Sequence, residues 1–335
     1  MLAYTARRLG EALLVILGVV IFVFVVSHLL PANPAKVWAG SKSSNEQVER
    51  IKEEYHLDEP VHKQLYFYLI QLGSGDLGLS PVTNNPVFKD LQRFAPATLE
   101  LALISVFLGS IGGIYLGVIS AVHKDSWVDQ LSRVIALAGV SLPLFLLALL
   151  AQLLFSFSLN WLPFAGRIGQ SVASPPNITG FYLLDSLISG QMGTFVSVLR
   201  HLALPSLLLS FSSLVRITRI TRSSMVEVLS QDYVLTARSK GLKERMVIYR
   251  HALRNAISSS ISLLGLTLVY TFGGTVVIEV VFGWPGMGRY AASAIHTLDF
   301  PALMGFVLVV STVVAIVNLI VDLMYGVMDP RIKYA

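Results

Sequence analysis

Apolar residues arrive in six long runs, at about Leu9 to Leu30, Thr98 to Val122, Val134 to Leu159, Leu202 to Ile220, Ile257 to Phe282 and Ala302 to Tyr325. Each approaches or exceeds the roughly 20 residues that a helix needs to cross the hydrocarbon of a bilayer. The pattern predicts an all-α polytopic membrane protein, with about six transmembrane helices in a single membrane domain over 1–335. The opening, Met1 to Arg8 and then an apolar run, has the basic flank of a signal peptide. That run is longer than an h-region of about 7–15 residues, and Pro31-Ala32-Asn33-Pro34 is a poor small-residue cleavage site, so the first helix is expected to stay uncleaved. Between the first two runs, Pro31 to Ala95 is polar, with charges of alternating sign, and reads as an external cap. Within it Val48, Ile51, Tyr55 and Leu57, following Ser44-Asn45-Glu46-Gln47, predict a short amphipathic helix.

Inside the runs the informative residues are small or helix-breaking. Ser105, Gly109, Gly113, Gly117 and Ala121 recur every fourth position, a spacing that lets two helix backbones approach closely where burial from water cannot drive association. This face is expected to pack on another helix. Pro143 and Pro205 each remove a backbone donor, and Gly273 and Gly274 loosen the fifth run, so these four are candidate hinges. Glu100, Glu279 and Asp322 lie near run ends, where snorkelling to the interface is expected. A mid-membrane acid pair, the mark of a proton path, is not present in the sequence.

Composition agrees with lipid: 54% of residues are hydrophobic and 13% charged, against about 25% charged in soluble domains. The net charge of +5 could suggest nucleic acid. The basic residues instead cluster at one side of the predicted topology: Arg7 and Arg8, Lys124 and Arg133, the group from Arg216 to Arg254, and Arg331 and Lys333. The positive-inside rule makes that side, with both termini, cytoplasmic, and nucleic acid is not an expected partner. Arg216, Arg219 and Arg222 are expected to anchor the fourth helix at lipid headgroups. The chain has no cysteine, and its histidines lack metal-ligand spacing, so neither a thiol nucleophile nor a resident metal is expected. The sequon Asn177-Ile178-Thr179 is read as a chance occurrence.

The densest chemistry is cytoplasmic, from Ser230 to Ala256 within a loop at 226–256. Ser230 or Asp232 can cap a helix of about two turns, Arg238 and Lys240 suit its last turn, and Gly241 suits the left-handed position beyond it. So short a helix is marginal alone and must dock. Tyr233, Thr236, Ala237 and Lys240 share the face expected to meet a partner, and Leu242 then starts the return to the membrane.

This segment resembles the cytoplasmic coupling loop of ABC importer permeases, in the wording of the dipeptide, oligopeptide and nickel branch: Asp232-Tyr233-Val234, Thr236-Ala237-Arg238, Lys240-Gly241-Leu242 and Arg250-His251-Ala252-Leu253-Arg254-Asn255. Of the general motif, Glu-Ala-Ala followed after three residues by Gly, only Ala237, Gly241 and, further on, Leu253 match. Similar agreement extends through Gly75-Asp76-Leu77-Gly78, Ala95 to Leu101, Ser141 to Phe145, Trp161-Leu162-Pro163, Gly283 to Gly288 and Asp329-Pro330-Arg331-Ile332. The resemblance implies a non-enzymatic half of a translocation pathway for peptides or similar small solutes in the prokaryotic inner membrane. It further implies a homologous second permease, two ATP-binding subunits that carry the ATP and magnesium, and an extracytoplasmic solute-binding protein. Consistent with that division, the chain has no G-x-x-x-x-G-K-[ST] phosphate loop. A secondary transporter or channel not driven by ATP is the alternative, and it leaves the Ser230 to Ala256 segment unexplained.

Overall fold

The structure, a computed structural model, describes residues 2–29, 34–39 and 44–328. The Asp329-Pro330-Arg331-Ile332 motif and the Asp322 side chain lie outside the described residues. Helix α1 (Leu2–Leu29) is followed by the cap, which holds α2 (Pro34–Ala39), α3 (Asn45–Glu54) and α4 (Val61–Gly73). The α3 start is a capping box: the Ser44 hydroxyl accepts from Gln47 N–H, and the Gln47 side chain accepts from Ser44 N–H. Next come α5 (Val87–Val122), α6 (Trp127–Ser141), α7 (Leu144–Ala151) and a π-helical turn over Gln152–Ser158. After an external loop run α8 (Tyr182–Ile188), α9 (Met192–Leu229), α10 (Asp232–Ser239) and α11 (Glu244–Met246). A second π-helical turn, Val247–Ala252, leads into α12 (Leu253–Ser262), α13 (Leu264–Val281), α14 (Met287–Thr297) and α15 (Phe300–Met328).

Among the described residues five helices are long and apolar enough to cross a membrane, namely α1, α5, α9, α13 and α15. The remaining predicted span, Val134 to Leu159, is not one helix. Pro143 lacks an N–H and forces Leu142 to an extended ψ of 135°, which ends α6 and starts α7. The predicted Leu202 to Ile220 span is only the middle of α9, whose 38 residues make a rod of ~57 Å, against a hydrocarbon core of ~30 Å. Pro205 sits buried inside α9 without ending it. The fifth span is interrupted at Leu263, ten residues before Gly273 and Gly274, which lie inside unbroken α13.

The chain forms two compact units, with α5 and α15 contributing to both. The first takes in the N-terminal residues to Thr98 and Pro285–Leu319. There α4 lies along α1 and α15, with Val20, Phe24 and Met304 buried against Val61, Leu65 and Tyr68. A second cluster seats α14 on α5 and α15 through Val87, Leu91, Met287, Tyr290, Ala294 and Ala302. Trp38 fastens α2 to the end of α14, its indole N–H shared between the carbonyls of Thr297 and Leu298. Buried Asp299 receives Ser80 Oγ and the N–H of Ala302.

The second unit comprises Leu99–Trp284 and Ile320–Tyr325. Its centre is the pairing of α5 with α9. A Cβ on Gly109 would lie 2.7 Å from Ser213 Cβ, one on Gly113 2.8 Å from Ile217 Cβ, and one on Gly117 2.6 Å from Thr221 Cβ. Only glycine admits that approach, since carbon atoms in contact normally sit about 3.5–4.0 Å apart. Gly274 serves similarly, with Leu209 filling the space a side chain would need, whereas nothing approaches Gly273.

Two buried carboxylates depart from the interfacial snorkelling expected of them. Glu279 is fully buried in α13. Glu100 is 2% exposed and pairs with Arg167 Nη2 at 2.5 Å, while its other oxygen accepts from Leu183 N–H at 2.8 Å. Arg167 also donates to Gly180 O and lies 3.7 Å from the centre of the Tyr182 ring. A charge cannot stay in low dielectric without partners, so this pair pins the loop after α7 to the first turns of α5 in this unit.

Candidate functional site

The cytoplasmic segment is built outward from the end of α9. Ser230 does not cap α10; its hydroxyl donates to Glu227 O at 2.7 Å and closes α9 instead. Gln231, in extended conformation with ψ 147°, makes the turn, and Asp232 occupies the first turn of α10, where the helix dipole favours an anion. Gly241 has φ +74°, and the N–H groups of Gly241 and Leu242 return to Arg238 O and Ala237 O. This is the glycine-terminated helix end that the sequence suggests, with Leu242 folding back onto the helix.

Eight residues do not hold a helix by propensity alone. What holds α10 is a small core of Val234, Ala237 and Val247, joined by Val228, Leu229 and Leu242. Full burial of each valine contributes on the order of 1.5–3 kcal/mol. The expected partner face is therefore divided: Ala237 is 7% exposed and points into the chain's own core. Its one-methyl side chain suits that position because Val247 comes in over it. Tyr233, Leu235, Thr236, Ser239 and Lys240 are exposed, with Leu235 at 52% and Tyr233 at 41%. The outer face thus carries two large apolar side chains among polar ones.

Three ties make the helix stiff with respect to the membrane helices of its unit. A single turn joins it covalently to α9. Tyr233 Oη accepts from Asn255 Nδ2 at 2.7 Å, which links it to α12. Arg238 and Glu244 form a two-point ion pair, Nε–Oε2 3.2 Å and Nη2–Oε1 2.6 Å, across the turn at Gly241. Both partners of that pair are exposed, so it sets geometry and adds at most about 1 kcal/mol. Behind these ties, Ile248, Ala252 and Ala256 pack on Val118 and Ala121 of α5 and Met225 of α9.

One further junction was not readable from spacing. Arg222, expected at lipid headgroups, instead grips Asp129 of α6 with Nε–Oδ1 2.6 Å and Nη2–Oδ2 2.7 Å. Asp129 is fully buried and also receives Ser120 Oγ, Arg133 Nη2 and the N–H of Asp125. The Arg222 guanidinium, helped by these donors, holds the Asp129 carboxyl well below the usual carboxylate range. Arg216 lies 4.2 Å from the centre of the Tyr270 ring, and Arg219 is exposed.

Comparison with known proteins fits this arrangement. The model of the binding-protein-dependent transport system inner membrane component matches residues 113–334, and the N-terminal model of the same membrane component matches 1–102. The chain belongs to this family. It is similar to the probable D,D-dipeptide transport system permease protein of Escherichia coli, 45% identical over 97% of the chain and 96% of the relative. It is also similar to a dipeptide transport system permease protein of Alkalihalophilus pseudofirmus, 41% identical over the full length of both. A glutathione transport system permease protein of Escherichia coli is 35% identical, again over the full length of both. As a family member this chain is a multi-pass inner-membrane permease, and α5 through α15 from Gly113 onward, including α10, fall in the main family match.

Proposed function

We propose that the chain forms half of the translocation pathway of an ATP-driven importer of short peptides and that α10 is the element that meets a cytoplasmic ATPase subunit. The observation that carries the coupling role is the two-sidedness of α10: Val234 and Ala237 are locked into the chain's own core, while Leu235 and Tyr233 project outward. Leu235, 52% exposed, and the ring of Tyr233, 41% exposed, supply apolar surface on which a partner can seat. The peptide class rests on the relatives, whose names specify D,D-dipeptide, dipeptide and glutathione. The remaining subunits in this reading are a homologous permease, a second ATPase and an extracytoplasmic binding protein. ATP and magnesium belong to the ATPases. Their closure would push on α10, and the push would pass to α9 and α12 as rigid-body motion.

The test is purification of the tagged chain from its native membrane in mild detergent, beside a Leu235→Asp variant, with peptide uptake measured in the same cells. The wild type should bring down two ATPases and a second permease. The variant should keep the permease, lose the ATPases and lose uptake. ATPase retention and normal uptake in the variant would refute the coupling role of α10, and a wild-type chain that purifies alone would refute the importer reading.

A further inference from the structure

The first unit holds a half-open cavity of about 310 Å³, at the small end of the range for ligand sites, that neither the coupling helix nor the membrane spans explain. It lies where the cap meets the ends of α1 and α15, and Phe24, Trp38, Tyr55, Phe67, Tyr68 and Phe300 give it an aromatic wall. These rings brace one another in pairs. Phe24 stacks on Tyr68 with centroids 5.5 Å apart, Trp38 meets Tyr55 edge-on at 5.1 Å, and His56 stacks on Phe67 at 5.1 Å. The walls are therefore held open by contacts made among themselves.

The polar chemistry of the lining is one-sided. Three of its side-chain donors are engaged: Trp38 Nε1 on Thr297 and Leu298 carbonyls, Gln64 Nε2 on Leu57 and Glu59 carbonyls, and Gln71 Nε2 on Asp76. Among the described residues no lysine or arginine lines the cavity. What remains among the described residues is one carboxylate, Asp76, which is exposed and accepts from Gln71 Nε2 and Gly78 N–H, together with the His56 imidazole and the negative faces of the rings. Ring faces beside a carboxylate are the combination that attracts an organic cation.

From this lining we infer that the cap cavity is a binding site for a primary ammonium group on a short stem. Two sources carry that chemistry: the ethanolamine headgroup of a membrane lipid, and a free amine such as a peptide N-terminus. Asp76 supplies the charge, and the rings supply cation–π contact.

The full chain is placed in nanodiscs of phosphatidylglycerol alone and titrated with phenylethylammonium, following tryptophan fluorescence, with neutral 2-phenylethanol as the size-matched control. The ammonium should bind at least tenfold more tightly than the alcohol. Asp76→Asn keeps shape and can still accept from Gly78 N–H; it should weaken ammonium binding at least tenfold while leaving the melting temperature unchanged. Repeating the titration with phosphatidylethanolamine in the disc separates the sources: competition assigns the site to the lipid headgroup, and undiminished binding assigns it to free amines. Equal binding of the alcohol, an unaffected Asp76→Asn variant or absence of ammonium binding would each overturn the inference. Should Asp76→Asn fail to fold, Phe67→Leu, which removes one ring face of the lining, should weaken binding measurably, and no change would count against the site.

Discussion

Arg222→Gln is the substitution from which the packing of the cytoplasmic junction yields the firmest number. The Asp129 carboxylate has no exposure and receives five hydrogen bonds, two of them from Arg222. Glutamine removes both and takes away one of the two guanidinium groups in contact with it. Stripping one partner from a buried pair costs roughly 3–5 kcal/mol. Two features pull the value to the low end. Arg133 remains at 2.7 Å, and the cover over the carboxylate is thin, because the Arg222 and Arg133 side chains are themselves 22% and 52% exposed. Water would follow the lost guanidinium in, and about 3 kcal/mol is expected. Denaturant unfolding of the purified chain in detergent, followed by tryptophan fluorescence, measures it. Adding Asp129→Asn should recover part of the loss, because the buried charge that lacks a partner is then gone. Asp129 is depressed in the folded state, so its contribution is present above the unfolded value near 3.8 and is lost as pH falls toward the folded value. The gap between wild type and Arg222→Gln should narrow on acidification. A loss under 1 kcal/mol, with no interaction between the two substitutions, would refute the claim that this ion pair holds α6 to α9.

The glycine stripe gives a sharper steric test: Gly113→Val would set carbon 2.8 Å from Ile217 Cβ and 2.9 Å from the Leu214 carbonyl, costing about 1–3 kcal/mol or separating α5 from α9. Gly193→Ala, with nothing within 4 Å, should be neutral or slightly stabilising in the same unfolding assay. Arg167→Met should destabilise by about 3–5 kcal/mol by stranding Glu100, and the Arg167→Met, Glu100→Gln double variant should be milder, as read by protease sensitivity of the external loop. Leu298 ends α14 at φ 54°, a left-handed conformation that costs a residue with a Cβ about 1–2 kcal/mol. Leu298→Gly should therefore raise the melting temperature slightly, since its carbonyl bond to Trp38 survives the change.

Which of these features could be read from the sequence follows from the range of the forces involved. Lipid requires long unbroken apolar runs, so five spans were legible, and the capping box at Ser44 and Gln47 announced α3 because both halves lie three residues apart. The stripe from Gly109 to Gly117 was legible for the same local reason, although not its partner α9. Misreadings arose where an apolar run and a helix end at different places. The run ends near Ile220, but α9 continues to Leu229 because Arg222 is paired with Asp129 and not turned to water. Ala237 was assigned outward because small residues suit a close partner; the partner proved to be Val247 of the same chain. Glu100 with Arg167 and Asp129 with Arg222 are separated by 67 and 93 residues, and no periodicity links residues so far apart.

If α10 meets an ATPase subunit as proposed, the ties around it set the route that a push on it would take through the second unit. A push on the outer face of α10 meets a helix wedged by Val234 and Ala237, so it cannot be absorbed locally. It passes through a single turn into α9, which runs without interruption from Met192 to Leu229 even though Pro205 lies inside it. The same push reaches α12 through Asn255 and α6 through Arg222 and Asp129. These two elements are where the helix ladder is broken, at Leu142–Pro143 beyond α6 and at Leu263 beyond α12. Packed interiors do not deform continuously, so displacement is expected to concentrate where one helix ends and the next begins. The glycine contacts of α5 add area to the rod without adding a joint, and Gly273 and Gly274 lie within a continuous ladder. If α10 is pushed as proposed, bending is expected at Leu142–Pro143 and Leu263, where one helix ends and the next begins, and not within α9, which stays helical through Pro205.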